Sequence, residues 1–481
     1  MAPSTVIKST VVDYAHPSVR REPFSHLTIP SIFSSRRGHN GHVENAEEEQ
    51  FIESELKLPS YRSLFVAIGG NALFQASFLI SKSTRTLIPI VTQFSFFIIV
   101  SSASAYAEHL GGSAVFSGLI IGIPTVFSGI ALIFMTRLDK GRYKRPFQFA
   151  YAAMLLGNIL HAMDYYSNWL YLILLGRIVT GFGFTSFMYT KRYCSDPRIV
   201  GVRQRTTLAS WLVIGQCFGF STGPFLGGLL FKVGFSNSIF NGFTSPGWVM
   251  ATTWAVFWVI SNVLFEDVQT QQESTLESDP AESTISLSAR QWGVIICMCY
   301  YAMTCFLILA SWESNIPVFT ASALGYSPFR AGNFIALGGL ASFPFLLLNV
   351  RYARRFQDRT TLATGTSLGL AGLLLTLVLL RTDNITFGSF YVCWVLVALG
   401  FNLASTCTLS LLSKQLPDNW NGRVSLAIQY SNYLGRVTGA ILGGAGVKIG
   451  MMNYIGVQIA VVGIGGIMYL TLWRELKAKT G

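Results

Sequence analysis

The 481-residue sequence is 51% hydrophobic and only 12% charged, and its formal net charge is +12 at pH 7. Soluble domains contain about 25% charged residues, so this composition excludes an ordinary soluble protein. The basic residues lie in short loops between apolar runs, where they set orientation in a bilayer. We therefore predict an all-α integral membrane protein that contacts lipid and has no nucleic-acid partner.

The chain begins with a polar segment, and we expect residues 1–62 to form a disordered cytoplasmic tail. Residues 63–82 contain an apolar stretch that is barely long enough to span and is interrupted by polar residues. An interfacial helix is the preferred prediction for this stretch. The alternative is a thirteenth spanning helix, which would place the basic tail outside, against the positive-inside rule.

Twelve stronger apolar runs follow, and each can cross about 30 Å of hydrocarbon. They lie at residues 87–106, 113–135, 147–166, 169–189, 207–231, 246–265, 291–312, 331–349, 361–380, 387–412, 424–447 and 451–473. Basic residues follow the even-numbered runs, so we expect both termini to be cytoplasmic, including the tail 474–481. The polar segment 266–290 predicts a cytoplasmic linker between halves at 87–265 and 291–473.

The fifth run carries glycines at four-residue spacing, namely Gly215, Gly219, Gly223 and Gly227. Glycines at this spacing share one helical face and let a neighbouring membrane helix approach closely. Pro224, inside the same run, predicts a bend. We therefore expect this helix to pack tightly, and we expect its glycines to support contact between the two halves of the molecule.

The decapeptide Gly219–Gly228 aligns without gaps with Gly435–Gly444. The two segments share four glycines, a threonine and a leucine in the same places, and they lie 216 residues apart. This spacing within a long membrane chain predicts two homologous six-helix halves related by a parallel repeat.

The glycines of the fifth run end in the pattern Gly-Pro-x-x-Gly-Gly. Together they resemble the fifth-helix signature of major facilitator superfamily antiporters. The resemblance implies a twelve-helix major facilitator fold and a monomeric secondary transporter. It also implies proton-coupled antiport of a small molecule, as efflux or vacuolar loading, with the proton gradient as energy source and no bound cofactor. An anion channel and a non-transporting sensor of the same fold are the alternatives. No nucleotide-binding, metal-binding or nucleophile pattern suggests an enzyme.

Two further motifs resemble the superfamily. The loop after the second run, with Asp139, Arg142 and Arg145, resembles the loop that latches the cytoplasmic side by charge pairing, although Met135 replaces the leading glycine. An ordinary topogenic loop is the alternative. Arg177 in the fourth run belongs to an Arg-x-x-x-Gly-x-Gly signature. An arginine at this depth predicts a role in substrate or proton coupling, with a snorkelling side chain as the alternative.

The fourth run is followed by Arg192, Tyr193 and Asp196, for which we predict a role in gating. This segment resembles the end of helix four in the transporter part of plant vacuolar phosphate transporters that carry an SPX domain. A lysosomal relative linked to ceroid lipofuscinosis is similar there. The resemblance favours a small organic or inorganic anion as substrate. It also favours a vacuolar or endolysosomal membrane, with the plasma membrane as the alternative.

Glu313, toward the outer end of the seventh run, is the candidate proton carrier. A carboxylate in a cavity that is alternately wet and dry can take up and release a proton. The alternative places Glu313 in an aqueous outer loop, because Pro317 obscures where the helix ends.

Arg436 near the middle of the eleventh run is the candidate substrate anchor, together with Gln429 and Asn432. The planar guanidinium binds carboxylate or phosphate with two hydrogen bonds. An internal ion pair with an acidic side chain is the alternative, and both roles can coexist. We further expect Arg177 and Arg436 to face one central cavity, since substrate sites in this fold lie between the repeats.

The third run carries Asn158, His161 and Asp164 on approximately one helical face. A histidine there titrates near neutral pH, so it could couple protons. The preferred interpretation is a hydrogen-bonded interface residue.

Overall fold

The computed structural model describes residues 97–139, 141–196, 221–267, 287–352, 357–413 and 421–477, together with positions 59, 60, 62–64, 66, 199 and 219. Within these residues the regular secondary structure is entirely helical. The described parts of the chain therefore form an all-α protein, as predicted from composition.

Twelve helices follow one another through the described ranges from 97 to 477. They are α1 (Ala103–His109), α2 (Ala114–Leu138), α3 (Lys144–Ser167), α4 (segments Leu170–Gly183 and Thr185–Ser195, joined at Phe184), α5 (221–233), α6 (Ser245–Leu264), α7 (Ala289–Leu324), α8 (Pro328–Tyr352), α9 (Asp358–Arg381), α10 (Phe387–Ser413), α11 (Asn421–Ile449) and α12 (Met451–Thr471). Each helix overlaps one predicted apolar run, so the twelve-helix arrangement is confirmed.

Eight helices among the described residues are long and apolar enough to cross a membrane. Helices α3 and α11, with 24 and 29 residues, also have spanning length but carry more polar side chains. Their buried polar side chains include His161 and Asp164 on α3 and Gln429 and Asn432 on α11. The protein is therefore a multi-pass integral membrane protein, and buried polar groups occur on the more apolar helices as well, such as Arg177 on α4 and Glu313 on α7.

Several predicted segments lie wholly or largely outside the described residues. They are the tail 1–62, the interfacial helix 63–82, the first part of the run 87–106, Gly215, most of the linker 266–290 and the end of the tail 474–481. Positions 62–64 and 66 are helical, and the Ser63 hydroxyl donates to the Glu266 carbonyl at 3.2 Å. This short piece therefore packs against the end of α6.

Helix α7 is longer than the sequence analysis expected. A capping box at Ser288 and Gln291 begins it, and Gly325, in the left-handed conformation at φ 63°, ends it. The predicted end at residue 312 was wrong because Pro317 lies inside the helix. Neighbouring membrane helices can compensate for the hydrogen bond that a proline removes. Glu313 consequently lies within a continuous helix.

The glycine stripes pack in the same way in both halves. A Cβ added at Gly227 of α5 would overlap the carbonyl of Ile98, just before α1. On α11, a Cβ at Gly435 or Gly439 would overlap the carbonyls of Met303 or Leu307 on α7. The fifth helix of each half thus packs closely against the first, as a parallel repeat requires.

This packing corrects one expectation about α5. Gly223 and Gly227 contact the chain just before α1, within their own half. The halves meet instead where Gly228 of α5 faces Phe329 of α8, and where an added Cβ at Gly118 of α2 would overlap the carbonyl of Ala440 on α11. The four-residue spacing defines a tight face but does not say which helix that face meets.

The bundle has two distinct ends. The end where α2 leads into α3 carries the basic loop 137–145 and is termed the basic end. The other, where α1 leads into α2 and α3 into α4, is termed the opposite end. Gly118 is near the start of α2 and Ala440 is in the second half of α11, so their contact joins the two halves toward the opposite end.

Candidate functional site

An ion pair between the two central helices of the C-terminal half forms the core of the candidate site. Arg436 Nη1 on α11 lies 3.6 Å from Glu313 Oε2 on α7. The Glu313 side chain is only 1% exposed, whereas that of Arg436 is 19% exposed. The guanidinium also lies 5.1 Å from the ring centroid of Phe306 and 5.4 Å from that of Phe97. Arg436 therefore covers the carboxylate and is itself partly accessible.

Glycine packing explains why the sequence brings these two charges together. Gly435 and Gly439 leave no side chain between α11 and α7, so the two backbones approach closely. Arg436 follows Gly435 directly, and Glu313 lies on the same stretch of α7 as Ser311, whose carbonyl faces Gly443. The predicted alternative of an internal ion pair for Arg436 is thus present, and Glu313 is not in an outer loop.

A second cation reaches this site from the N-terminal half. Lys191 Nζ near the end of α4 donates to Gln429 Oε1 on α11 at 3.1 Å. Its charge is close enough to that of Arg436 for the two to repel each other. Lys191, Arg436 and Glu313 together carry a net positive charge. A site with this balance attracts an anion.

Sequence reasoning missed Lys191. The segment that contains it was assigned to gating because of Arg192, Tyr193 and Asp196, and the lysine was treated as part of a basic loop. The available signal was its position only two residues beyond the apolar fourth run, on the same helix, where a charged side chain has to find a polar environment.

Further polar groups of α11 face the N-terminal half. Asn432 is 9% exposed, and its Oδ1 has no hydrogen-bond partner among the described residues. The Ser128 hydroxyl of α2 donates to the Tyr433 hydroxyl at 2.9 Å, and the Tyr430 hydroxyl donates to the Gly129 carbonyl at 3.0 Å. Gln429 and Asn432, both predicted for the site, therefore accompany Arg436 on a helix that bonds directly to the other half.

Arg177 lies in a different environment. It is 1% exposed, and its Nε donates to the Ile120 carbonyl of α2 at 3.2 Å. Its charge also acts on His161 of α3. This burial excludes a snorkelling side chain. The described contacts of Arg177 are within the N-terminal half, and a shared cavity with Arg436 stays a prediction.

A hydrogen-bonded network occupies the basic end. Asp139 Oδ2 accepts from Arg192 Nη1 at 2.8 Å and from the Tyr189 hydroxyl at 3.0 Å. Asp139 Oδ1 accepts from the Gly141 amide at 2.9 Å. The loop after α2 is thus attached to the end of α4, despite its departures from the superfamily pattern.

The same network extends to Tyr143, which follows the loop. Its hydroxyl donates to Asp196 Oδ2 at 2.6 Å, and its ring meets that of Tyr193 edge to face, with centroids 5.1 Å apart. Arg142 and Arg145 are exposed on the surface of this end. The structure therefore brings Asp139 together with Arg192, Tyr193 and Asp196, and their role in gating remains a prediction.

The described residues contain no group of three or more His, Cys, Asp or Glu side chains that could hold a metal ion.

Comparison with known proteins identifies the family. The model of the Major Facilitator Superfamily matches residues 86–440. The chain belongs to the major facilitator superfamily. An uncharacterised MFS-type transporter of Schizosaccharomyces pombe is 30% identical over 449 residues, covering 91% of this chain and 86% of the relative. A second MFS-type transporter of that yeast is 30% identical over 403 residues, covering 81% of each chain.

Solved structures support the same fold. A D-xylose–proton symporter has a TM-score of 0.64 at 14% identity, covering 88% of this chain and 98% of that one. A peptide transporter has a TM-score of 0.62 at 14% identity, covering 90% of this chain and 99% of that one. At this identity the likeness shows the fold alone.

The resemblance to SPX-domain membrane proteins is confirmed over part of the chain. An SPX domain-containing membrane protein of Arabidopsis thaliana is 34% identical over 191 residues, which cover 38% of this chain and 26% of that protein. The family and the fold together show a membrane transporter.

Proposed function

We propose that this protein is a proton-coupled secondary transporter of a small organic or inorganic anion. The observation that carries the proposal is the cationic site between the halves, where Lys191 of α4 bonds to Gln429 of α11, the charges of Lys191 and Arg436 repel each other, and Glu313 pairs with Arg436. Substrate sites of this fold lie at the interface of the repeats, where these two helices meet.

Charge balance supports an anion as the substrate. Two neighbouring cations at membrane depth repel each other, and Glu313 can neutralise only one of them. An anion that binds between Lys191 and Arg436 would relieve this repulsion. The guanidinium supplies a planar pair of donors, and the ammonium supplies a mobile point charge. Gln429 and Asn432 add uncharged hydrogen-bonding groups beside them.

Proton coupling would follow from competition for Arg436. A substrate anion that engages the guanidinium draws it away from Glu313, whose side chain is 1% exposed. A buried carboxylate without a cation is costly, so Glu313 would then take up a proton. Substrate and proton occupancy are linked through one arginine in this scheme.

The direction of proton movement has two candidate answers. The glycine pattern of α5 favours antiport, with efflux or vacuolar loading of the anion. The Arg436–Glu313 pair favours movement of the proton together with the anion, because anion binding and Glu313 protonation support each other. For the same substrate flux into a vesicle, antiport and joint movement of proton and anion predict pH changes of opposite sign inside the vesicle.

Orientation and location complete the proposal. The basic end would face the cytoplasm under the positive-inside rule, with both termini on that side. The likeness to SPX-domain membrane proteins supports a vacuolar or endolysosomal membrane over the plasma membrane. The two halves enclose the proposed site within one chain, which supports a functional monomer.

Uptake by proteoliposomes tests the proposal. Purified protein is reconstituted into liposomes that contain a pH-sensitive dye. Radiolabelled phosphate, malate and chloride serve as the probes. We expect saturable uptake of at least one probe with a pH change whose sign gives the direction. Arg436→Lys should raise KM about tenfold, because one of two charge-assisted hydrogen bonds is lost. Arg436→Ala should raise it further.

Arg381→Ala is the matched control, since this arginine is exposed at the end of α9. Unchanged KM in Arg436→Ala would refute the anion site. Glu313→Gln should retain exchange of the labelled probe but lose the accompanying pH change. Uptake without saturation would favour a channel, and no flux of any probe would favour a sensor.

A further inference from the structure

A second buried carboxylate lies in the N-terminal half, outside the proposed substrate site. Asp164, on the last turn of α3, is 0% exposed, and Tyr106 of α1 beside it is 1% exposed. The Tyr106 hydroxyl lies close enough to the Asp164 carboxyl to act on it, although the pair falls outside the geometry of a normal hydrogen bond. His161, one turn earlier on α3, is 4% exposed, and its ring meets that of Tyr106 edge to face at 5.6 Å.

Hydrogen bonding does not compensate for this burial. Among the described residues, no partner lies within hydrogen-bonding geometry of either carboxyl oxygen of Asp164, of the Tyr106 hydroxyl or of Nδ1 of His161. An ionised carboxylate that is fully buried without donors costs many kcal/mol, so such groups become neutral instead. A protonated carboxyl has its own O–H donor, which can reach a neighbouring acceptor after a small movement.

An aromatic cap lies between this cluster and the opposite end. It consists of His109 at the end of α1, Tyr165 on α3 and Phe243 in the connection to α6. The His109 ring stacks on Tyr165 at 5.3 Å and on Phe243 at 5.0 Å, and Phe243 also stacks on Tyr106 at 5.0 Å. Asp164 is fully buried, whereas His109 is exposed and Tyr165 and Phe243 are half-buried, so we infer that these rings lie on the solution side of Asp164.

We propose that Asp164 is a proton-binding site, occupied in this closed arrangement and exchanging its proton with the solution at the opposite end when the aromatic cap opens. The site is separate from the Arg436–Glu313 pair and does not depend on the identity of the substrate. It would give the N-terminal half its own protonation step.

The groups around Asp164 are consistent with a neutral carboxyl. Tyr106 of α1 acts on Asp164 directly. The other titratable side chains nearby are His161 and Tyr165 of α3, which adjoin Tyr106, and His109 of α1, which stacks on Tyr165. Arg177 of α4 acts on His161. The connection 234–244 before α6 contains no charged residue. No cation among these described groups forms an ion pair with Asp164, so a proton is the simplest way to neutralise it.

Infrared spectroscopy tests the protonation directly, without any transport assay. A protonated carboxylic acid has a carbonyl stretching band that an ionised carboxylate lacks. At pH 7 we expect a component of this band that is lost in Asp164→Asn and retained in Glu313→Gln. A band unchanged by Asp164→Asn would overturn the proposal. Loss of the component when sodium replaces choline in the buffer would also overturn it, since sodium would then be the bound cation.

Hydrogen–deuterium exchange of the same band tests the cap. Phe243→Ala should accelerate the deuterium shift at least tenfold, because exchange of a buried group requires local opening. Phe387→Ala is the matched control, since Phe387 also stacks on aromatic neighbours, at the start of α10. Equal exchange rates in wild type and Phe243→Ala would show that these rings do not control access. This test also applies if Asp164→Asn fails to fold.

Discussion

The ion pair between Arg436 and Glu313 makes a quantitative prediction for a double-mutant cycle. Arg436→Met removes the cation but keeps an apolar side chain, so Glu313, at 1% exposure, is left buried without its partner. Removing one partner of a buried ion pair costs about 3–5 kcal/mol. Arg436 is 19% exposed and lies 3.6 Å from the carboxylate. These values favour the lower limit, about 3 kcal/mol.

The other single variant of the cycle, Glu313→Gln, is expected to lose less stability. Glu313→Gln leaves a cation that still has partial solvent access and lies near the faces of Phe97 and Phe306, so we expect a loss of about 1 kcal/mol. The double variant leaves no buried charge at either position. Its loss should therefore be smaller than the sum, with a coupling of about 2 kcal/mol.

Thermal unfolding of the purified variants in one detergent measures the cycle. A loss of about 3 kcal/mol should lower the apparent melting temperature of Arg436→Met on the order of 5 °C. The double variant should regain part of that decrease. Arg381→Met serves as the control for loss of an exposed arginine. Strictly additive decreases in the double variant would refute the argument that the two charges stabilise each other.

Three further predictions concern packing and the basic end. Gly439→Ala on α11 should lower the free energy of unfolding by about 1–3 kcal/mol, because the added methyl group overlaps α7. Gly463→Ala on α12 is the control and should not lower it, because Gly463 faces open space. Equal effects of the two substitutions would contradict this packing. Gly118→Leu should allow expression but prevent closure between α2 and α11, seen as increased labelling of cysteines introduced at the opposite end. Asp139→Asn should weaken its contact with Arg192 and increase labelling at the basic end, and an unchanged pattern would argue against a latch.

The periodic features of the sequence predicted the architecture correctly. Twelve apolar runs became twelve helices, because each run has to satisfy its backbone hydrogen bonds internally in lipid. The repeated glycine decapeptide predicted two related halves, and the stripes of α5 and α11 do pack equivalently. These signals are local or strictly periodic, so they can be read without knowing which helices are neighbours.

Helix ends were harder to predict. The seventh apolar run ended at residue 312 and Pro317 obscured the end of the helix, whereas α7 continues to Leu324. A proline removes a hydrogen bond in any helix, but whether the helix continues depends on the neighbours that pack around it. The location of Glu313 inside a helix therefore followed from tertiary packing and not from the local sequence.

The sequence by itself determined the membrane environment, the number of helices, the repeat and most of the charged residues that matter, because burying a charge in lipid is so costly that each one stands out. Only the tertiary structure decided their partners. It paired Arg436 with Glu313, bonded Lys191 to Gln429 on the same helix as Arg436, and buried Asp164 beside Tyr106. The physical reason is that partner choice depends on which helix faces meet, and residues such as Lys191 and Gln429 are more than 200 positions apart in the chain.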